Sequence, residues 1–129
     1  MSTPNIDANV LLRAVVRDVP EHSDKVKEFI GSNSTIIISD IAIIETIFAL
    51  DRYYGMPRPE IAKVIISLLN NPKFKYNKEP FKEAIFNYTN HPALSIEDCF
   101  MSAQAKISNS ELYTFDKKLA NQIKNAKLL

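Results

Sequence analysis

The sequence predicts an α/β fold that is dominated by helices and built around a short, mostly parallel central sheet. Short β-branched or apolar runs alternate with longer helical patterns, which is typical of parallel sheets covered by helices. Only two glycines occur among the 129 residues, which argues against a β architecture with many tight turns. No repeat or Gly/Ser linker interrupts the chain, so we expect a single domain over residues 1–129.

The elements of the first half follow from β-branched runs, helical periodicity and helix-terminating residues. Pro20 suits the first turn of a helix. The run at 35–38 is too short for a helix and predicts a buried strand. Gly31 and Gly55 are predicted to end the helices that precede them. The predicted order is a strand at 5–6, helices at 8–16 and 20–30, a strand at 35–38, and helices at 40–54 and 59–70.

The second half continues the alternation. The sequence Asn-His-Pro at 90–92 is predicted to break the chain between helices. The predicted elements are a strand at 74–76, helices at 79–88 and 95–107, a strand at 112–115, a helix at 117–124 and an edge strand at 127–129.

Composition excludes several classes of protein. The net charge of +1 gives no overall attraction to nucleic acid, and the lone cysteine, Cys99, has no partner for an internal disulfide. The start of the chain lacks the pattern of a secretory signal. The most apolar stretch, residues 41–50, is about half the length that a transmembrane helix needs. We therefore expect a cytoplasmic protein with no membrane partner.

Three aspartates are predicted at helix N-termini, where open α/β sheets bind ligands. Asp7 and Asp116 each follow a predicted strand and open a helix, and Asp98 lies in the first turn of its helix. A structural role is the alternative for each. Asp7 and Asp116 could be N-caps, and the segment from Ser95 to Asp98 resembles a capping box.

Glu45 is a candidate for a different reason. It lies in the middle of a predicted helix, and its neighbours at three and four residues are apolar and include no cation. A carboxylate among apolar side chains is costly to bury unless it is paired or binds a metal. Helical periodicity does not choose between the adjacent acids Glu97 and Asp98.

If the four acids converge, they predict a site for a hard divalent cation. Two carboxylates about 4 Å apart repel by roughly 4 kcal/mol at an effective dielectric constant of 20, and a cation relieves that repulsion. Oxygen ligands favour Mg²⁺ or Mn²⁺, whereas His22, His91 and Cys99 show no zinc-ligand spacing. Such an ion can orient a phosphodiester and activate water. No Walker A, dinucleotide-binding or GxSxG motif points to other chemistry.

Four segments carry these acids in order: IDANVLLR at 6–13, the helix with Glu45 that ends in DRYYG at 51–55, IEDCFMSA at 96–103, and LYTFDKKL at 112–119. They resemble the acidic motifs of PIN-domain ribonucleases, especially the VapC-like toxins of toxin–antitoxin pairs. In that family an Asn commonly follows the first Asp by two positions, and a Thr or Ser precedes the last Asp by two. The register of the third motif selects Asp98 over Glu97.

The resemblance implies a three-layer α/β/α sandwich and Mg²⁺- or Mn²⁺-dependent cleavage of RNA. It also implies a homodimer held inactive by an antitoxin. By the same likeness, Asp7, Glu45, Asp98 and Asp116 would hold metal or position water. Asn9 and Thr114 would orient carboxylates, and Arg13 and Lys117 would meet the RNA backbone, with a solvated surface charge as the alternative for both.

Other functions fit parts of the sequence. A PIN-domain nuclease of RNA processing or decay would have the same motifs and no antitoxin. A phosphoacceptor receiver domain has a similar alternation, but it needs an adjacent acidic pair where this chain has Asp7 followed by Ala8. A catalytically silent PIN binding module would not need all four acids.

Overall fold

The computed structural model describes residues 2–129 and divides into two compact units. The first unit extends to Tyr76, and the second is Asn77–Leu129. Helices predominate in both, and the paired strands are parallel throughout. The predicted helix-dominated α/β fold with a short parallel sheet is confirmed. The paired strands of the described residues form two sheets, of three and of two strands, where one central sheet was expected. Within residues 2–129, no helix combines the length and apolar character that crossing a membrane requires.

The first unit contains three strands and four helices. In chain order they are β1 (Asn5–Ile6), α1 (Ala8–Val15), α2 (Pro20–Ser32), β2 (Ile36–Ile38), α3 (Asp40–Arg52), α4 (Arg58–Leu69) and β3 (Phe74–Lys75). Each element was expected from the sequence, with ends that shift by a few residues.

The sheet of the first unit has the strand order β1-β2-β3. Ile6 lies opposite Ile38 in the register of β1 and β2. Parallel strands point their carboxyl ends to the same edge, so the next residues of these strands, Asp7 and Ser39, lie side by side at that edge. Helices α1 and α3 begin at this edge.

The prediction that Gly31 ends α2 is wrong, because the helix continues to Ser32. Carbonyl groups near the end of α2 accept hydrogen bonds from the side chains that follow Gly31. The Ser32 hydroxyl donates to the Glu28 carbonyl at 2.7 Å, and the Asn33 amide donates to the Phe29 carbonyl at 2.9 Å. These bonds stabilise the extra residues of helix.

Gly55, in contrast, adopts a positive φ of 62° shortly after the end of α3, as expected for a helix-terminating glycine. Its N–H donates to the Asp51 carbonyl at 3.1 Å, and the next N–H, of Met56, donates to the Leu50 carbonyl at 3.0 Å. A residue with a Cβ atom would be strained at this position.

The second unit contains the remaining helices and a small sheet. Its elements are α5 (Lys78–Asn90), α6 (Ile96–Ile107), β4 (Leu112–Thr114), α7 (Lys117–Gln122) and β5 (Ala126–Leu128). The expected edge strand is present as β5, which pairs with β4 in parallel. The helix α7 ends earlier than predicted because Ile123 adopts an extended backbone and leads the chain toward β5.

The core of the second unit lies between α5 and α6. The rings of Phe81 and Phe100 pack with centroids 4.6 Å apart, and Tyr88 is buried on α5. Ser102 is fully buried on α6, and its carbonyl accepts a hydrogen bond of 2.8 Å from the Asn125 amide. This bond ties the segment before β5 to α6.

Candidate active site

Asp7 occupies the junction between β1 and α1. Its carboxylate oxygen Oδ1 accepts a hydrogen bond from the backbone N–H of Val10 at 3.0 Å, so Asp7 is the N-cap of α1. Among the described residues no donor contacts the other oxygen, Oδ2, and the residue is exposed. The predicted capping role is therefore confirmed, and it leaves one carboxylate oxygen free to bind a ligand.

Asp116 has the same arrangement between β4 and α7. Its Oδ1 accepts hydrogen bonds from the N–H groups of Lys118 at 2.9 Å and Leu119 at 3.3 Å. The Thr114 hydroxyl accepts a bond from the N–H of Asp116 itself at 3.0 Å. Thr114 thus fixes the backbone of Asp116, while Oδ2 of Asp116 has no donor among residues 2–129.

Asp40 was missed by the sequence reasoning. It is the first residue of α3, directly after β2 and the N-cap Ser39, whose hydroxyl accepts from the Ala42 N–H at 3.2 Å. Since β2 is the neighbour of β1, Asp40 opens a helix at the same edge of the sheet as Asp7. The rule that selected Asp7 and Asp116, an acid that follows a strand and opens a helix, selects Asp40 as well.

Glu45 is exposed, so the cost of burying a carboxylate among apolar side chains does not apply to it. The core face of α3 is formed by Ala42, Ile43, Thr46, Ile47 and Leu50. Ile41, one turn before Glu45, is itself 68% exposed. Because α3 is apolar around most of its circumference, the neighbours of Glu45 in sequence did not reveal which face is buried.

Glu45 nevertheless lies on a helix that packs against the start of α1. The hydroxyl of the next residue, Thr46, is fully buried and lies 3.5 Å from the carbonyl of Ala8, the first residue of α1. Ala8 follows Asp7 directly. This contact joins α3, which carries Glu45, to the start of α1, directly after Asp7.

Asp98 and Glu97 differ in exposure. Ser95 is the N-cap of α6, and its hydroxyl accepts from the N–H of Asp98 at 3.1 Å. Asp98 is half-buried, whereas Glu97 is exposed. Helical periodicity did not choose between these two acids, and the choice of Asp98 stays a prediction from the family motif.

The predicted supporting residues have different surroundings. Asn9 and Lys117 are exposed, and within residues 2–129 neither side chain has a hydrogen-bond partner. Arg13 is half-buried and donates to the Asp18 carboxylate and to the Tyr54 hydroxyl. Hydrogen bonding to Tyr54 and the charge of Asp18 raise the pKa of Arg13. A contact between Arg13 and RNA would compete with this ion pair.

The chemistry of the donors suits a hard divalent cation, because the candidate ligands are carboxylate oxygens. Each unit carries two of them: Asp7 and Glu45 in the first, Asp98 and Asp116 in the second. Over residues 2–129, no group of three or more His, Cys, Asp or Glu side chains is arranged to hold a metal ion. A site with four carboxylates therefore stays a prediction.

Comparison with known proteins adds a family to this description. The family model of the PIN domain matches residues 6–124, which include all four candidate acids. No curated protein matches the chain. The chain is similar to a solved structure described as a toxin–antitoxin complex from Klebsiella pneumoniae, with 16% identity and a TM-score of 0.38. That similarity covers 96% of this chain and 95% of the other.

Proposed function

Because this chain belongs to the PIN domain family, whose members are generally nucleases, we propose that it is a metal-dependent endoribonuclease. The observation that carries the proposal is the way in which its capping aspartates are held. Asp7 and Asp116 each use one oxygen to cap a helix and keep the other free. A backbone-fixed carboxylate with a free oxygen is preorganised as a metal ligand.

Asp7, Asp98, Asp116 and Glu45 would hold Mg²⁺ or Mn²⁺. When bound, such an ion neutralises charge on a phosphodiester and lowers the pKa of water. The chain's own part is positioning: Thr114 holds the backbone of Asp116, and Asn9 is placed one turn or less from Asp7 on α1. No side chain is needed as a covalent nucleophile, so we expect direct hydrolysis by water.

RNA is the substrate we propose, with Arg13 and Lys117 as candidate contacts to its phosphates. Lys117 is exposed directly after Asp116, which suits an electrostatic contact with the backbone of the substrate. The phosphoacceptor receiver domain is no longer a candidate, because the PIN family model spans residues 6–124. A silent PIN binding module remains the rival, and an assay of cleavage separates the two.

The role of a toxin paired with an antitoxin is part of the same proposal, as are a homodimer and a cytoplasmic location. The first unit offers an apolar groove between α1, α2 and α4, and Val15, Val16 and Leu68 are among its lining residues. Basic side chains, Arg17 and Lys27, also line it. A partner segment with apolar and acidic side chains would complement this surface.

Growth of a bacterial host separates the toxin from an RNA-processing nuclease without an antitoxin. We expect expression of the chain to slow growth and Asp98→Asn to relieve the effect. Co-expression of a small protein encoded by a neighbouring gene should also relieve it. Normal growth with active, soluble enzyme would favour the RNA-processing role.

Digestion of total RNA tests the activity itself. The purified chain is incubated with Mg²⁺, with Mn²⁺, or with a chelator, and the cleavage ends are mapped by sequencing. We expect discrete ends that require metal and that disappear with Asp7→Asn. Intact RNA under all conditions, or equal cleavage by Asp7→Asn, would overturn the proposal.

A further inference from the structure

A cleft in the second unit contains none of the candidate active-site residues. It has a volume of about 580 Å³, and its described lining residues all belong to Asn77–Leu129. We propose that this cleft binds a free adenine nucleotide, with the base against Phe86 and the phosphate at Lys124. The inference does not depend on the proposed ribonuclease activity, and it gives the chain a second binding site.

The cleft lies at the end of the small sheet that is opposite to Asp116. Two of its lining residues, Glu111 and Asn125, come directly before β4 and β5. Asp116, in contrast, follows the carboxyl end of β4. Each strand has three residues, and a residue extends a strand by about 3.3 Å, so roughly 10 Å of sheet lies between the two ends. A ligand in the cleft therefore leaves Asp116 accessible.

Ion pairs and a hydrogen bond hold the walls of the cleft. Lys106 of α6 pairs with Glu83 of α5 at 2.6 Å. Lys127 of β5 pairs with Glu111 at 3.6 Å. The side-chain amide of Asn125 donates to a backbone carbonyl of α6 at 2.8 Å. These contacts lie within the second unit, so the chain itself fixes the shape of the cleft, as is usual for small-molecule sites.

The charge of the lining favours an anionic ligand. Lysines outnumber carboxylates there by three to two, which gives the described lining a net positive charge. Both carboxylates, of Glu83 and Glu111, are already paired with lysines. Lys124 is exposed, and no acid within residues 2–129 pairs with it. A phosphate group would supply the anion that Lys124 lacks.

One aromatic ring and one amide supply contacts for a base. Phe86 and Asn87 follow Glu83 on α5 by three and four residues, so the three side chains share a face of the helix. Phe86 is 65% exposed, which leaves its ring open to stacking by a base. Asn87 is half-buried, and its side-chain amide has no hydrogen-bond partner in the described part of the chain. Because an asparagine amide pairs with N6 and N7 of adenine, the cleft suits that base.

The composition of the lining argues against a protein partner. Five of the ten described lining residues are charged, and among those ten Phe86 is the one exposed large hydrophobic side chain. Protein–protein interfaces have few charged residues at their core and are anchored there by buried aromatic side chains. The volume of the cleft lies instead within the range of small-molecule sites, about 300–1,000 Å³.

Calorimetric titration of AMP into the purified chain tests the inference. EDTA is present, so that no metal ion at the candidate active site can hold the phosphate. We expect AMP to bind about tenfold more tightly than adenosine or ribose 5-phosphate, because each of these lacks one of the two contacts. AMP should also bind more tightly than CMP, whose base does not present N6 and N7.

Variants of the lining test the two contacts separately. Phe86→Ala and Lys124→Met should each weaken AMP binding by about tenfold, and Phe86→Trp should retain it. Both side chains are exposed, so we expect these variants to fold. Lys82→Met is the matched control, because Lys82 is an exposed lysine of α5 outside the cleft.

Several outcomes would overturn the inference. They are no binding of AMP, an unchanged affinity in Phe86→Ala or in Lys124→Met, and an equal loss of affinity in Lys82→Met. Binding of a short RNA without binding of AMP would assign the cleft to RNA instead. Asp116→Asn should bind AMP as the wild type does, and a loss there would place the nucleotide at the candidate active site. The titration contains neither RNA nor free metal, so a failure of the ribonuclease proposal would leave its result unaffected.

Discussion

At the scale of single residues, helix capping occupies one carboxylate oxygen of each capping aspartate and leaves the other for the proposed metal. Asp116 caps α7 through Oδ1 alone, and Asp7 caps α1 in the same way. An N-cap was the structural alternative to a catalytic role for both residues. Because the second oxygen stays free, the cap would also hold the carboxylate in place for the proposed metal.

Substitution by asparagine separates the two roles at Asp116. Asparagine is about as good an N-cap as aspartate, whereas alanine costs about 1 kcal/mol of stability. We expect Asp116→Asn to abolish metal-dependent RNA cleavage with a nearly unchanged free energy of unfolding. Asp116→Ala should lose both cleavage and about 1 kcal/mol.

Urea unfolding and initial cleavage rates measure these two effects. Asp24→Asn is the matched control, since Asp24 is an exposed carboxylate of α2 that pairs with Arg17 at 2.8 Å. The dual role is refuted if Asp116→Asn cleaves RNA at the rate of the control variant.

Asp98 and Glu97 allow a test between neighbours. Ser95 caps α6 through the N–H of Asp98, so neither carboxylate is needed for that bond. We expect Asp98→Asn to remove cleavage, and Glu97→Gln to leave it within about twofold, since surface substitutions usually change little. Cleavage assays of the two variants in parallel measure these effects. If Glu97→Gln removed cleavage and Asp98→Asn did not, the proposed metal ligand would be Glu97 and not Asp98.

At the scale of elements, an ion-pair network ties the end of α1 and the loop after it to the end of α3. The Tyr54 hydroxyl donates to Asp18 at 2.6 Å, and the Arg13 guanidinium donates to both of these residues. The hydrogen bond from Tyr54, followed by the charge of Arg13, lowers the pKa of Asp18 below the ordinary 3.8. The network thus favours the ionised carboxylate.

The lowered pKa of Asp18 determines how the stability of the fold changes with pH. A carboxyl group with a lowered pKa in the folded state stabilises the fold above the unfolded-state pKa, and the stabilisation is lost as the pH falls through the folded-state pKa. We expect Tyr54→Phe to lower stability at pH 7, and the deficit to shrink as the pH falls below about 3.8.

Urea denaturation at neutral and acidic pH checks this expectation. Tyr53→Phe is the control, because Tyr53 is more exposed than Tyr54 and its ring contact with Phe48 survives the loss of the hydroxyl. A deficit for Tyr54→Phe that stays constant down to pH 3 would contradict the role of Asp18.

The sequence predicted the elements well where local chemistry alone determines them. Gly55 ends α3 with a positive φ, and the β-branched run before Ser39 forms β2. The prediction failed at the end of α2. Gly31 lies within α2 because the side chains of Ser32 and Asn33 bond the last carbonyls.

The candidate site was also only partly predictable from the sequence. Asp7 and Asp116 could be found from strand–helix junctions, and that rule should have added Asp40. The exposure of Glu45 could not be predicted, because an almost wholly apolar helix does not reveal its buried face from its sequence. The ranking of Asp98 above Glu97 came from a family motif and not from periodicity.

At the scale of the whole molecule, the candidate acids of the proposed function are spread along the chain. The family model spans both units, from residue 6 to residue 124. Asp7 belongs to the first and Asp116 to the second. The central claim is that Asp7, Glu45, Asp98 and Asp116 serve as ligands of a hard divalent cation.

Titration of Mn²⁺ into the purified chain, followed by electron paramagnetic resonance, tests that claim most directly because it needs no RNA. We expect the wild type and the Asp24→Asn control to bind Mn²⁺ equally. Asp7→Asn and Asp116→Asn should each weaken the affinity by at least about tenfold, since each removes a proposed carboxylate ligand. Full Mn²⁺ affinity in either of these two variants would contradict the role of that aspartate as a metal ligand.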